Sequence, residues 1–139
     1  MKVKFILFIV LFTVMSSSLY SQSEAVGERL NKLFVLCFTD NYKSAAKYIV
    51  YRGDDTSRAW KDVCNYYNDD EKQAVIEICK RIKNFLETGG DYELSEFSEG
   101  KESEGTWYTW LVEFQKGDKR KVNFSFLKIG KRYALGDID

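Results

Sequence analysis

The sequence predicts an α+β domain in which N-terminal helices pack on a curved antiparallel meander of three to four strands. Two observations predict this class. Up to Gly90 the apolar residues recur every three or four positions, which is the period of an amphipathic helix, whereas after Gly90 they recur at every second position, which is the period of a half-buried strand. The chain of 139 residues also contains no proline, which fits continuous helices and strands.

The first 21 residues have the pattern of a secretory signal. Lys2 and Lys4 give a positive start, and an almost purely apolar run at residues 5–15 is too short to span a bilayer. Small residues then predict cleavage after Ser21, which leaves residues 22–139 as one mature domain. We therefore expect an exported protein, periplasmic or secreted, with no membrane span after cleavage. A buried N-terminal helix is the alternative, but the run is apolar on every face.

Three helices are predicted before the middle of the chain. The first covers residues 25–38, with one apolar face. Asp40 or Asn41 can cap a second, short helix that passes through Ala45, Ala46 and Ile49 and ends near Gly53. A third short helix is suggested by the spacing of Trp60, Val63, Cys64 and Tyr67.

The fourth predicted helix has the strongest pattern. Asn68 stands three residues before Glu71 as a capping box, and an apolar stripe runs from Val75 to Leu86. Gly89 and Gly90 then end the helix.

A meander of strands is predicted after the glycine pair. Residues 92–97 form a first strand, and the polar residues 98–105 form a long turn. In residues 107–114 the alternation places one apolar face toward the helices, and a hairpin turn at residues 116–120 leads to a strand that continues this face. The predicted inward residues, including those of a short last strand, are Tyr108, Trp110, Val112, Phe114, Val122, Phe124, Phe126, Tyr133 and Leu135.

The closing segment carries a resemblance to a known superfamily. Residues 124–137 show aromatic alternation, a turn at Gly130, an aromatic residue at Tyr133 and an aliphatic-Gly-Asp ending. With helices preceding a meander, this resembles the superfamily of nuclear transport factor two, the cystatin-like cone, and within it small exported bacterial domains without an assigned function. The resemblance implies a curved sheet around the long helix, with a cone-shaped pocket between them. One departure is the pair Lys131 and Arg132 before Tyr133, where the usual pattern has one residue.

Composition limits the chemistry and the partners. The 21 basic and 21 acidic residues leave a near-neutral mature chain after Lys2 and Lys4 are removed, so nothing favours a nucleic-acid partner. The sequence contains no histidine, which excludes Ser-His-Asp and Cys-His catalysis, and the three cysteines lack the close spacing of a zinc site. We expect no catalytic residue of a known motif, no metal and no cofactor.

The aromatic residues, 16% of the chain, suggest where a ligand would bind. At helical or strand spacing most such residues are core residues, and those near the open end of a cone would touch a ligand. Trp107 and Leu111 lie on the opposite face of their strand and are candidates for a dimer interface, or for a surface covered by the chain's own loops. The pocket candidates are Tyr48, Trp60, Tyr108, Trp110, Phe124 and Tyr133.

Export makes a disulfide possible, and an odd number of cysteines leaves at least one unpaired within the chain. The preferred pair is Cys64 with Cys79, because both fall on the apolar faces of consecutive predicted helices. Cys37 is then a small core residue.

Three functions are compatible with these features. The first is a non-catalytic binding module for a small apolar ligand, a peptide or an envelope protein. The second is a small pocket enzyme with tyrosine and carboxylate acid–base chemistry, for example Asp137 with Tyr108. The third is an assembly protein that forms a homodimer through the Trp107 and Leu111 face. Fold alone does not choose among them, because the superfamily includes enzymes as well as binding domains.

Overall fold

The computed structural model describes the backbone of residues 2–139 and the side chains of residues 18–139. The predicted signal, residues 1–21, therefore lies largely outside the side chains that are described. Within the described part of the chain, no helix has the length and apolar character needed to cross a membrane. The elements in order are α1 (Lys2–Phe38), α2 (Tyr42–Ala45), a 3-10 helix (Ala46–Tyr48), α3 (Asp69–Gly89), β1 (Tyr92–Glu102), β2 (Gly105–Phe114), β3 (Lys121–Ile129) and β4 (Arg132–Ile138).

The four strands form one antiparallel sheet in the order β1-β2-β3-β4, which confirms the predicted meander and the α+β class. The sheet is open. Irregularities in register between Leu94 and Glu96, and between Ser125 and Phe126, help to bend it, because a bulge increases the local twist of a strand. The helices pack on its inner, concave face.

The hydrophobic core lies between this inner face and the helices α1 and α3. Phe34 of α1 meets Phe124 of β3 edge to face, with ring centroids 5.0 Å apart, and Phe85 of α3 stacks on Phe114 of β2 at 5.9 Å. The predicted inward parity of β2 and β3 is confirmed, since their core residues are buried: Tyr108, Val112, Phe114, Val122, Phe124 and Phe126.

Helix α3 forms as predicted. The side chain of Asn68 accepts hydrogen bonds from the backbone N–H groups of Asp70 and Glu71, both at 3.1 Å, and so caps the first turn. The stripe that packs on the core comprises Val75, Cys79, Ile82 and Phe85. The second predicted helix is present as α2, capped by Asn41, followed by the 3-10 helix.

The predicted third helix is wrong. Residues 56–61 form turns, and Trp60 has a positive φ of 66°, which a helix does not accommodate. Instead, residues 49–65 fold back on themselves, and we call them the folded-back segment. The backbone N–H of Tyr51 donates to the carbonyl of Asp62, and the backbone N–H of Trp60 donates to the carbonyl of Tyr51. The apolar side chains of Trp60 and Val63 pack on the sheet and not along one face of a helix, so their helix-like spacing in the sequence was misleading.

The predicted long turn at residues 98–105 is also wrong. Strand β1 continues to Glu102, with Gly100 opposite Trp107 and Lys101 opposite Thr106. The side chains of residues 98–102 are exposed, which is consistent with their polar character. Polar side chains do not prevent a strand here, because the hydrogen bonds to β2 are made by the backbone.

The predicted disulfide pairing is wrong as well. Cys37 of α1 bonds to Cys79 of α3, with Cα atoms 4.6 Å apart, and Cys64 is a free, buried thiol. Cys64 does not lie on a helix but in the folded-back segment, where its sulfur donates to the carbonyl of Val50. Cys37 is the residue that faces Cys79 when α1 packs on α3.

Candidate functional site

The space between the sheet and the helices is occupied by side chains of the protein. Tyr108 and Phe124, two of the predicted pocket residues, are buried in this core. Trp110 is half-buried, and its indole N–H donates to the carbonyl of Ser23 at 3.1 Å, which ties β2 to α1. These three candidates stabilise the fold and do not line an open cone.

Two other predicted pocket residues lie together at the surface. Tyr48 and Tyr133 are half-buried and line a groove beside the turn between β3 and β4. The sixth candidate, Trp60, lies on the outer side of the sheet and does not join them.

Trp107, a candidate for a dimer interface, is covered by the chain's own loop, which was the alternative prediction for this residue. Trp60 packs on it edge to face, with ring centroids 5.8 Å apart, and Val50, Leu127 and Ala134 complete this outer cluster. The indole N–H of Trp107 is buried and has no hydrogen-bond partner among the described residues. Leu111 remains partly exposed on the same face.

The residues suggested for acid–base chemistry do not meet. Tyr108 points into the core, whereas Asp137 lies exposed on the outer face, in line with Ser125 and Thr109 across the strands. The sheet itself separates the phenol from the carboxylate, so the structure does not assemble this pair.

The structure instead has a cleft of about 560 Å³ between the segment after the 3-10 helix and the first half of α3. We call it the loop cleft. This volume lies in the range typical of sites for small molecules. It is lined by Ile49, Val50, Tyr51, Arg52, Gly53, Asp54, Asp55, Arg58, Cys64, Asn68, Asp70, Glu71, Ala74, Glu77 and Ile78.

A partly buried ion pair builds one wall of the loop cleft. Arg58 Nη2 donates to Glu71 Oε1 at 2.9 Å, Nη1 donates to Oε2 at 3.3 Å, and Nε donates to Asp62 at 2.9 Å. The guanidinium also lies 4.3 Å from the centroid of the Tyr51 ring. Glu71 Oε1 accepts a further bond from the N–H of Asn65 at 3.0 Å, so this carboxylate ties the folded-back segment to α3.

Glu71 is ionised although only 6% of it is exposed. Burial acts to raise the pKa of this carboxyl group, but the hydrogen bonds from Arg58 and from the N–H of Asn65 outweigh burial, so the pKa lies below its ordinary value. The hydrogen bonds of Arg58 to Glu71 and to Asp62 raise the pKa of Arg58. Both groups are therefore charged at neutral pH and satisfied by each other.

The other carboxylates of the loop cleft are free of ion pairs. No cation among the described residues lies within ion-pair distance of Asp54, Asp55, Asp70 or Glu77. The remaining cation of the lining, Arg52, donates to the carbonyl of Gly136 at 2.7 Å and stacks on Trp60. The lining therefore holds five carboxylates against two guanidinium groups, which is an excess of negative charge. We call the four carboxylates without an ion pair the rim carboxylates.

Part of the lining of the loop cleft is apolar, and we call this part its floor. Ile49 and Val50 come from the segment after the 3-10 helix, Ala74 and Ile78 come from α3, and Cys64 lies between them. Burial raises the pKa of the Cys64 thiol to about 12. The thiol is thus protonated and acts as a small apolar surface.

Sequence reasoning did not find the loop cleft. Asp54 and Asp55 are residue types common in an ordinary turn, and Glu71 fits the second half of the predicted capping box. The capping pattern was a partial signal, because Asn68 does cap α3 while Glu71 is free to bind Arg58. No local pattern indicates that the segment around Asp54 folds over α3.

Neither a protein-family model, nor a curated protein, nor a solved structure matches the chain.

Proposed function

We propose that this protein is a non-catalytic binding domain that holds an organic cation with an apolar stem in the loop cleft. The observation that carries the proposal is the combination of an apolar floor with four carboxylates that have no ion-pair partner among residues 18–139, within a cleft of about 560 Å³. An ammonium group would meet the rim carboxylates while its alkyl chain covers the floor.

Asp55 is suited to this role because hydrogen bonds maintain its charge. Asp55 accepts hydrogen bonds from the hydroxyl and the N–H of Ser57, at 2.6 and 3.0 Å, and these bonds lower the pKa of its carboxyl group. Asp54 precedes the turns of the folded-back segment and Glu77 lies on α3, and both residues are exposed. A cation in the cleft can therefore meet carboxylates from both elements.

The chemistry of the loop cleft supports binding rather than catalysis. A general acid or base needs a pKa near the working pH, but Glu71 is held as a paired carboxylate and Cys64 as a protonated thiol. Nothing in the lining provides a base beside a nucleophile.

Export of the domain and its membership of the superfamily of nuclear transport factor two are part of the same proposal. The Cys37–Cys79 disulfide supports an oxidising compartment, periplasmic or extracellular. The order of helices followed by an antiparallel meander supports the superfamily, although the cone of this chain is filled by its own core.

The experiment is a titration followed by two-dimensional NMR. Hexylamine is added to the ¹⁵N-labelled domain, with hexanoate as a ligand of the same length and opposite charge. We expect saturable shifts at the backbone of residues 49–55 and 70–78 for hexylamine alone. A short blocked peptide with one lysine tests whether the same site takes a side chain of a partner protein.

The matched variants change two charges each. Asp54→Asn with Glu77→Gln removes two rim carboxylates and should weaken hexylamine binding about thirtyfold, since each of the two contacts contributes roughly 1 kcal/mol. Glu87→Gln with Glu104→Gln removes two exposed carboxylates outside the cleft and should leave binding unchanged. Equal affinity in both double variants, or the absence of saturable shifts with either probe, would refute the proposal.

A further inference from the structure

A second groove differs from the loop cleft in charge, because most of its charged residues are basic whereas most of those in the loop cleft are acidic. It has a volume of about 340 Å³ and is formed where α1 passes the 3-10 helix and the turn between β3 and β4. We call it the basic groove. Its lining comprises Ala25, Glu28, Arg29, Lys32, Tyr48, Lys131, Arg132 and Tyr133, so four cations face one carboxylate.

Arg29 is held rigidly at the base of the basic groove. Its Nε donates to the carbonyl of Tyr133 at 3.0 Å, and its Nη2 donates to the carbonyl of Lys47 at 3.4 Å. The guanidinium carbon lies 3.8 Å from the centroid of the Tyr48 ring, which is close stacking. These contacts fix the orientation of the side chain and leave Nη1 without a hydrogen bond to the described residues.

The positive charge of Arg29 has no counterion among the residues whose side chains are described. None of Arg29, Lys32, Lys131 and Arg132 forms an ion pair with a described carboxylate, and Glu28 stays beyond ion-pair distance. Partial burial lowers the pKa of Arg29, and the like charge of Arg132 lowers it further. An arginine remains protonated at neutral pH nonetheless, so the groove keeps an uncompensated, partly dehydrated charge that an anion would stabilise.

We propose that the basic groove binds a phosphate group, with Arg29 and Arg132 as hydrogen-bond donors and Lys32 and Lys131 as supporting charges. A guanidinium presents N–H donors in a planar fork that matches the oxygens of a phosphate, and two such forks suit a dianion better than a single carboxylate. The inference is independent of the loop cleft, because the two sites share no lining residue.

The phosphate has two possible sources, which are a free phosphate ester and the headgroup of an anionic lipid. Free phosphate is tested by titrating inorganic phosphate at constant ionic strength and following the Nε–H signals of the arginines by NMR. The lipid source is tested by sedimentation with vesicles of phosphatidylglycerol, against phosphatidylcholine vesicles as the neutral reference. We expect a saturable shift of the Arg29 Nε–H signal, or retention on the anionic vesicles alone.

The variants separate a built site from general attraction by positive charge. Arg132→Gln and Lys131→Gln change exposed side chains and should each weaken phosphate or vesicle binding, Arg132→Gln by about tenfold. Lys61→Gln removes an equal charge from an exposed position outside the groove and should have no effect. Binding in neither assay, or equal losses in the Arg132 and Lys61 variants, would overturn the inference. The Asp54→Asn, Glu77→Gln double variant should bind phosphate normally, so failure here is distinguishable from failure of the proposed function.

Discussion

Glu71 shows how one residue couples the stability of the fold to the shape of the loop cleft. Its carboxylate is buried, and it accepts hydrogen bonds from Arg58 and from the N–H of Asn65. An unpaired charge in this position would be costly, but the pair is satisfied on both sides. The folded-back segment that walls the cleft is held to α3 by this carboxylate.

Replacing Glu71 by Gln should destabilise the protein at neutral pH by about 2–3 kcal/mol, because the charge of Arg58 loses its buried partner. The pKa of Glu71 is lower in the folded protein than its ordinary value of 4.5, so its contribution is complete above that value and is lost as the pH falls through the folded pKa. Urea unfolding between neutral and acidic pH measures both effects.

In that experiment the stability of Glu71→Gln should depend less on pH below about 4.5 than that of the parent protein. Glu77→Gln, on the exposed side of the same helix, is the control and should behave like the parent. If the two variants lose the same stability, the ion pair does not hold the segment.

The buried thiol of Cys64 gives a second prediction at this scale. Burial raises its pKa to about 12, so almost no thiolate exists at pH 8 and alkylation of the folded protein should be very slow. One thiol should react with iodoacetamide once urea unfolds the chain without a reductant. Mass spectrometry of the alkylated protein counts the thiols, and rapid labelling of the folded state would contradict the placement of Cys64.

At the scale of elements, the two sides of the sheet are packed by different means. The inner face meets α1 and α3, whereas part of the outer face is covered by the folded-back segment through Trp60 and Trp107. Gly136 of β4 makes this possible. A Cβ atom at Gly136 would lie 2.6 Å from the indole ring of Trp107, which is closer than carbon atoms can approach.

Gly136→Ala should therefore destabilise the protein by about 1–3 kcal/mol, because Trp107 must move and the outer cluster must repack. Gly100→Ala is the matched control, since nothing lies within 4 Å of a Cβ atom there and the change should be neutral or slightly stabilising. Thermal unfolding followed by tryptophan fluorescence compares the two. Equal melting temperatures would show that Trp107 does not pack on β4 as described.

At the scale of the whole molecule, one covalent bond joins the two helices that cover the inner face. The Cys37–Cys79 disulfide links α1 to α3 across a sequence separation of 42 residues. The loop that it closes contains α2, the 3-10 helix and the folded-back segment, and therefore much of the lining of the loop cleft. Restricting this loop lowers the entropy of the unfolded chain.

Substituting both Cys37 and Cys79 by Ser should lower the free energy of unfolding by about 4 kcal/mol on the chain-entropy model for a loop of this length. Denaturant unfolding of the double variant against the parent measures the loss. Cys64→Ser keeps the disulfide and measures, as a control, the effect of replacing a buried cysteine by serine. A double variant as stable as the parent would mean that the bond is not formed in solution.

The same scale separates what could be predicted from what could not. Helix α3 was predictable because Asn68, the stripe from Val75 onward and the glycine pair all act within the helix. The inward face of β2 was predictable because alternation is local. The absence of a helix around Trp60 and the Cys37–Cys79 pairing were not predictable, because each depends on where the chain folds back and not on its neighbours in sequence.

Local patterns were sufficient to predict the α+β class, the order of helices before strands and the inward face of the sheet, because periodicity and capping are properties of adjacent residues. The disulfide partner, the filling of the inner space by Tyr108 and Phe124, and the two polar sites depend on tertiary packing. The loop cleft joins the segment around Asp54 to α3, and the basic groove joins Arg29 to Arg132. Such contacts arise when buried apolar area compensates for the entropy of closing long loops, and no window of the sequence contains that balance.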